Sequence, residues 1–138
     1  MGTKIIEDRC MVVSYDVMNG WTVVHVGGEV DVYTSPVIHK AVTKLLDEGH
    51  RHFVLDLCAV PLLGSRGLGM IVAITKRIRD HHGSLRIACA GERVLKVFRT
   101  CGLRAVYEFY DSPEEATLRA ASGSGLASWP RPSAARRQ

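Results

Sequence analysis

The sequence predicts a single α/β domain built on a mostly parallel sheet with helices packed on it. Three observations carry this. Short apolar runs alternate with amphipathic stretches from about residue 21 to residue 120, the pattern of strand–helix–strand crossovers. An Asn19-Gly20 pair separates two strand-like runs at the start, so an antiparallel hairpin opens the sheet. The 138-residue length and 46% apolar content fit one ordinary domain with one core.

The elements follow in order. Met11–Val17 and Trp21–Val26 read as the hairpin strands. Ser35 followed by Pro36 reads as a helix start, a capping hydroxyl and then proline in the first turn. Val37, Ile38, Ala41, Val42, Leu45 and Leu46 fall on one face of that helix, and Gly49 ends it. His52–Leu57 reads as a buried strand. Leu68, Ile71, Val72, Thr75 and Ile78 mark a second helix, which turns basic at Lys76, Arg77 and Arg79 and stops at His81-His82-Gly83. Leu85–Cys89 is the next strand, and Glu92–Cys101 the third helix, with Val94, Leu95, Phe98 and Cys101 inward and Gly102 as its stop. Tyr107–Tyr110 reads as a last strand. Ser112-Pro113-Glu114-Glu115 is a capping box, opening a helix to about Ala120. The division expected is an N-terminal extension at 1–10, the domain at 11–120 and a disordered basic tail at 121–138.

Charge narrows the function classes. The net charge of +4 suggests a nucleic-acid binder. However, Arg119, Arg131, Arg136 and Arg137 lie in a terminal stretch without acids, and positions 1–118 hold 14 basic and 14 acidic residues. A neutral body lacks the concentrated positive field that phosphate backbones require, so no DNA partner is expected. No run is long and apolar enough for a bilayer span, so no membrane partner is expected. The first residues lack a secretory pattern, which points to the cytoplasm.

Candidate sites are few. Cys10, Cys58, Cys89 and Cys101 include no C-x-x-C pair; they read as small buried apolar residues and no metal site is expected. His50-Arg51-His52 and His81-His82 read as solvated histidines without matching ligands. Asp56 reads as a carboxylate hydrogen-bonded to nearby backbone. Gly67-Leu68-Gly69 lacks the third glycine of a dinucleotide loop, and Leu63 stands where a nucleophile elbow needs glycine before Ser65. No cofactor and no catalytic residue is expected. The remaining candidate is Ser65-Arg66-Gly67 at a helix start, where free N–H groups suit a covalently added phosphate; the competing reading makes Ser65 a plain helix cap.

Gly28-Glu29-Val30-Asp31, Leu55-Asp56-Leu57-x-x-Val60, Ser65-x-Gly67-Leu68-Gly69 and Gly102-Leu103 occur in that order. Together they resemble the STAS domain of anti-sigma factor antagonists, over roughly Met11 to Ala120. The resemblance implies a non-enzymatic protein in a partner-switching system of transcription and stress regulation. In that family the loop before the second helix typically reads Asp-Ser-Ser/Thr-Gly-Leu. The hydroxyl before the glycine takes phosphate from an anti-sigma factor that is also a serine kinase (of the histidine-kinase-like ATPase type). The unphosphorylated antagonist binds that kinase and frees the sigma factor. Here the aspartate position is Gly64, the first serine is Ser65, and the acceptor position is Arg66, which cannot take the phosphate. Ser65 is the alternative acceptor, one position early. The implied partner surface comprises Asp31, Tyr33, Thr34 and Ser35 with Gly64, Ser65, Arg66, Gly67, Leu68 and Gly69, and an Asp31–Arg66 ion pair is expected within it. Two other functions compete: a non-switched STAS scaffold subunit that assembles with other STAS proteins, and a small-anion or nucleotide-binding module.

Overall fold

The computed structural model describes residues 11–118 and, as backbone, residues 3–8. The elements run β1 (Thr3–Asp8), β2 (Met11–Met18), β3 (Trp21–Gly27), α1 (Ser35–Asp47), β4 (His52–Ala59), α2 (Ser65–Asp80), β5 (Ser84–Ala88), α3 (Glu92–Thr100), β6 (Phe109–Tyr110) and α4 (Pro113–Ala116). They form one six-stranded sheet in sequential order, β1-β2-β3-β4-β5-β6. β1, β2 and β3 pair antiparallel, and β3 through β6 pair parallel. The mostly parallel mixed sheet is therefore as the sequence predicts. One strand precedes the hairpin: β1 lies in the stretch expected as an extension, and its Thr3-Lys4-Ile5-Ile6 has no clear two-residue alternation to give it away. Cys10 and the tail expected at 121–138 lie outside the described residues.

Strand alternation sorts the side chains onto two faces. Val24 and Val26 of β3, Phe53, Leu55 and Leu57 of β4, and Leu85 and Ile87 of β5 join residues of α1, α2 and α3 in the main core. The intervening Trp21, Val23, Val54 and Ala88 point the other way and pack with Ala116 of α4. On that second face Arg86, 1% exposed, lies 4.2 Å from the Trp21 ring and donates to the Ala116 carbonyl at 2.8 Å.

Local chemistry explains the turns. Asn19 and Gly20 both adopt positive φ, +52° and +82°, as a tight hairpin turn requires. Gly83 is forced by space, since a Cβ there would lie 2.0 Å from the Arg51 carbonyl oxygen. Several expectations change. The cap of α1 is Thr34, with Ser35 as its first helical residue. Val72 is only half-buried, because Ile74 takes the core position beside Ile71 and Ile78. α3 stops at Thr100 and leaves Cys101 exposed, because Gly102 at φ +74° turns the chain and Leu103 N–H bonds back to Phe98. β6 is shorter than expected, since Tyr107 is instead a core residue whose hydroxyl meets buried Thr75 Oγ1 at 2.8 Å. The capping box at Ser112 forms, with its Oγ accepting from Glu115 N–H at 3.1 Å. However, α4 ends at Ala116, where Thr117 Oγ1 bonds to the Glu114 carbonyl.

Candidate functional site

The site is built where β3 and β4 run out side by side into the loops that start α1 and α2. The loops stay paired beyond the sheet. Gly28 N–H donates to Ala59 O at 3.1 Å, Val30 N–H to Leu62 O at 3.0 Å, and Gly64 N–H to Val30 O at 2.9 Å. A single parallel bridge joins Val30 and Leu63. This zipper places the two helix starts together.

At the start of α1 the polar groups satisfy one another. Asp31 Oδ1 accepts from Tyr33 N–H at 2.9 Å and Thr34 N–H at 3.0 Å. Thr34 Oγ1 donates to the Glu29 carbonyl at 2.7 Å and accepts from Asp31 N–H at 2.9 Å. Ser35 Oγ donates to the Asp31 carbonyl. The N–H groups of Thr34 and Tyr33 hold the Asp31 carboxyl below its ordinary value of 3.8. The expected Asp31–Arg66 pair is not formed: among the described residues Arg66 has no ion pair, and Asp31 is turned to its own loop.

At the start of α2 the arrangement is bare. The helix begins at Ser65 with Gly64 in the cap position, so Ser65 is not the cap. The N–H groups of Ser65, Arg66 and Gly67 have no partner among the described residues. The first turn contains no acid, and Ser65 and Arg66 are exposed. A fixed cation thus stands at the positive end of a helix dipole, an arrangement that disfavours it.

Gly67 is dictated by packing. A Cβ would lie 2.7 Å from Leu63 Cδ1, 2.7 Å from Val30 Cγ1 and 2.9 Å from the Val30 carbonyl oxygen. Glycine lets α2 seat against the zipper. Gly69, by contrast, is exposed, and a Cβ added there would meet nothing within 4 Å.

The ten expected residues therefore divide. Tyr33, Ser65, Arg66 and Gly69 are exposed, and Asp31 and Gly64 half-buried. Thr34, Ser35, Gly67 and Leu68 are buried and shape the surface from beneath. Sequence reasoning missed Val32 and Leu62, each 46% exposed, beside Tyr33 at 84% and on the paired loop respectively. It also missed Pro36, His39 and Met70, which with Val32, Ser35 and Arg66 line an open groove of about 370 Å³ between the helix starts. The available signal was Val32 and Leu62, apolar residues inside turns that need none.

A second polar group lies on the opposite sheet face. His25 Nδ1 meets Asp56 Oδ2 at 2.6 Å and its Nε2 meets Asp16 Oδ2 at 3.2 Å. Burial opposes its charge, but the hydrogen bonds and charges of Asp56 and Asp16 together raise its pKa above 6.5. Asp56 Oδ1 accepts from Cys58 N–H at 3.0 Å, the backbone role expected of it. The cysteines depart from expectation. Cys58 is exposed and Cys89 half-exposed. Their mutual hydrogen bond, burial, and the charges of Asp56 and Asp111 push the Cys89 thiol up to about 11. The paired histidines are also less solvated than expected: His50 Nδ1 contacts Thr22 Oγ1 at 2.6 Å, and burial with Arg86 nearby lowers the pKa of His52.

With this geometry the comparisons with known proteins agree. The family model of the STAS domain matches residues 12–116, and the chain belongs to that family. The anti-sigma-B factor antagonist of Staphylococcus aureus (strain NCTC 8325 / PS 47) is 31% identical over 91 residues, 66% of this chain and 84% of that protein. Its counterpart from Bacillus subtilis (strain 168) is 31% identical over 87 residues, 62% and 77% of the two chains. The crystal structure of an anti-sigma factor antagonist from Mycobacterium paratuberculosis shares the fold, with a TM-score of 0.70 at 24% identity over 81% of this chain and 95% of that one. The family is regulatory. No helix among the described residues is long and apolar enough to cross a membrane.

Proposed function

We propose that this chain is an anti-sigma factor antagonist that docks a serine-kinase-type anti-sigma factor and so releases a sigma factor, without the phosphorylation switch. The observation that carries the reading is exposed Arg66 in the first turn of α2, unpaired among the described residues and lining one groove with Val32, whose chain neighbour Tyr33 is 84% exposed. Exposed apolar side chains around one charged group suit a protein partner, with the aromatic as anchor.

Phosphoserine at this place would carry about −1.5 to −2 charges. Arg66 carries a permanent positive charge, so the surface cannot be converted to the anionic state that turns such a partner away. Among the described residues the guanidinium has no acid to meet. An acidic group on the partner would both pair it and relieve its position at the helix N-terminus. The role is therefore binding locked on, with specificity for an acidic docking surface.

Affinity capture of the tagged chain from its host tests this. Co-purification of a histidine-kinase-like ATPase anti-sigma factor is expected, lost on Arg66→Asp. Capture of other STAS proteins in its place would favour the scaffold reading.

A further inference from the structure

We propose that Asp56, Cys58 and Cys89 form a binding site for a thiophilic divalent metal ion of the Zn²⁺ class, with His25 holding Asp56 in place. The inference is independent of the partner-docking surface, because the site lies on the other face of the sheet.

The fold assembles this group from residues that look unrelated along the chain. Val54 and Asp56 of β4 point away from α1–α3, and Cys58 is the next residue on that face. Cys89 follows β5 directly. Simple alternation after Ala88 would return its side chain to the helix-covered face occupied by Ile87. Instead Cys89 adopts φ +62°, a conformation that disfavours side chains other than those of glycine and asparagine. Its side chain consequently packs with the Trp21, Val54 and Ala88 cluster, on the same face as Cys58.

One donor atom from each of Asp56, Cys58 and Cys89 lies within 4.8 Å of the other two. Zn–S bonds of about 2.3 Å and Zn–O bonds of about 2.0–2.2 Å in a tetrahedron need donor atoms roughly 3.5–4 Å apart. Small side-chain rotations close that gap. Two sulfurs with one carboxylate select a thiophilic ion over Mg²⁺ or Ca²⁺. Three protein ligands leave the fourth place to water, and exposed Cys58 gives the ion a path in.

The surroundings support the carboxylate as a ligand's would. His25 bonds Asp56 Oδ2 at 2.6 Å and is itself fixed by Asp16 at 3.2 Å, while Cys58 N–H holds Oδ1. Such outer partners orient a ligand and tune its affinity. A bound ion would tie β4 to β5 past Asp56↔Ala88, their last paired residues.

The test uses the full chain, reduced with a phosphine and stripped of metal, titrated with Co²⁺ as an optical probe and then with Zn²⁺. A thiolate-to-cobalt absorption saturating at one equivalent and erased by Zn²⁺ is expected. Cys58→Ser and Cys89→Ser each abolish it, His25→Ala weakens binding about 10–100-fold, Asp56→Asn weakens it more than His25→Ala does, and Cys101→Ser behaves as wild type. Thermal melts of the metal-free variants confirm that each is folded. No absorption in the folded wild type, absorption that survives loss of either cysteine, or a Cys58–Cys89 disulfide as the sole response to metal and air would overturn the site.

Discussion

The starts of α1 and α2 lie side by side, follow equivalent strand ends, and are built in opposite ways. Around Asp31 and Thr34 every short polar side chain is used up on nearby backbone. Around Ser65 and Arg66 no side chain caps the helix and its N–H groups lack partners among the described residues. Neither helix has a side-chain cap hydrogen bond, but the loop before α1 is braced by Asp31 and Thr34, and the start of α2 has no such bracing. The contrast is the ground for proposing the docking contact at α2 and support at α1.

The largest effect is expected from disturbing the packing under the bare end. Gly67→Ala puts a methyl into Val30 and Leu63, with an expected loss of about 1–3 kcal/mol in urea unfolding. Gly69→Ala, with open space around it, should gain about 0.5–1 kcal/mol from helix propensity. Equal effects at the two glycines would contradict the zipper.

Arg66→Asp separates binding from folding. It is expected to lower affinity for the anti-sigma factor roughly tenfold or more, about 1.4 kcal/mol or above. The same change should raise stability by about 0.3–1 kcal/mol, because an acid suits a helix N-terminus. Isothermal titration and thermal melts on one preparation would show the opposite signs. A parallel loss of both would mean that Arg66 is structural.

The smallest effect is expected at α1. The Asp31 carboxyl is held below its ordinary value by the N–H groups of Thr34 and Tyr33. Its contribution is therefore present above about 3.8 and fades as pH falls through the lower folded value. The stability difference between wild type and Asp31→Asn should close with acid over that window. A difference that persists unchanged below it would place the effect elsewhere.

Much of this was legible in the chain. Asn19-Gly20, Gly102 and the Ser112-Pro113 box specify local geometry through backbone chemistry, and each appears where the residues dictate. Helix faces followed from their period except at Val72, Leu95 and Cys101, which the core does not take in. What escaped depends on which nearby contacts win and on how separate loops and strand ends meet. The cap of α1 shifts by one residue because Thr34 reaches back to Glu29. Arg66 is left unpaired because Asp31 finds nearer donors in its own loop. The approach of Cys58 to Cys89 depends on one left-handed residue at the end of β5, which no spacing rule reveals. Val32 and Leu62 were visible as apolar turn residues, but their exposure became meaningful only once the two loops were joined.

On the proposed reading, Arg66 leaves the docking surface permanently available. The direct test incubates wild type and Arg66→Ser with the captured anti-sigma factor and ATP, then records intact mass and binding together. No added phosphate and sustained binding are expected for the wild type, and one added phosphate with release for Arg66→Ser. Phosphate on the wild type, at Ser65 or elsewhere, with loss of the complex would contradict it.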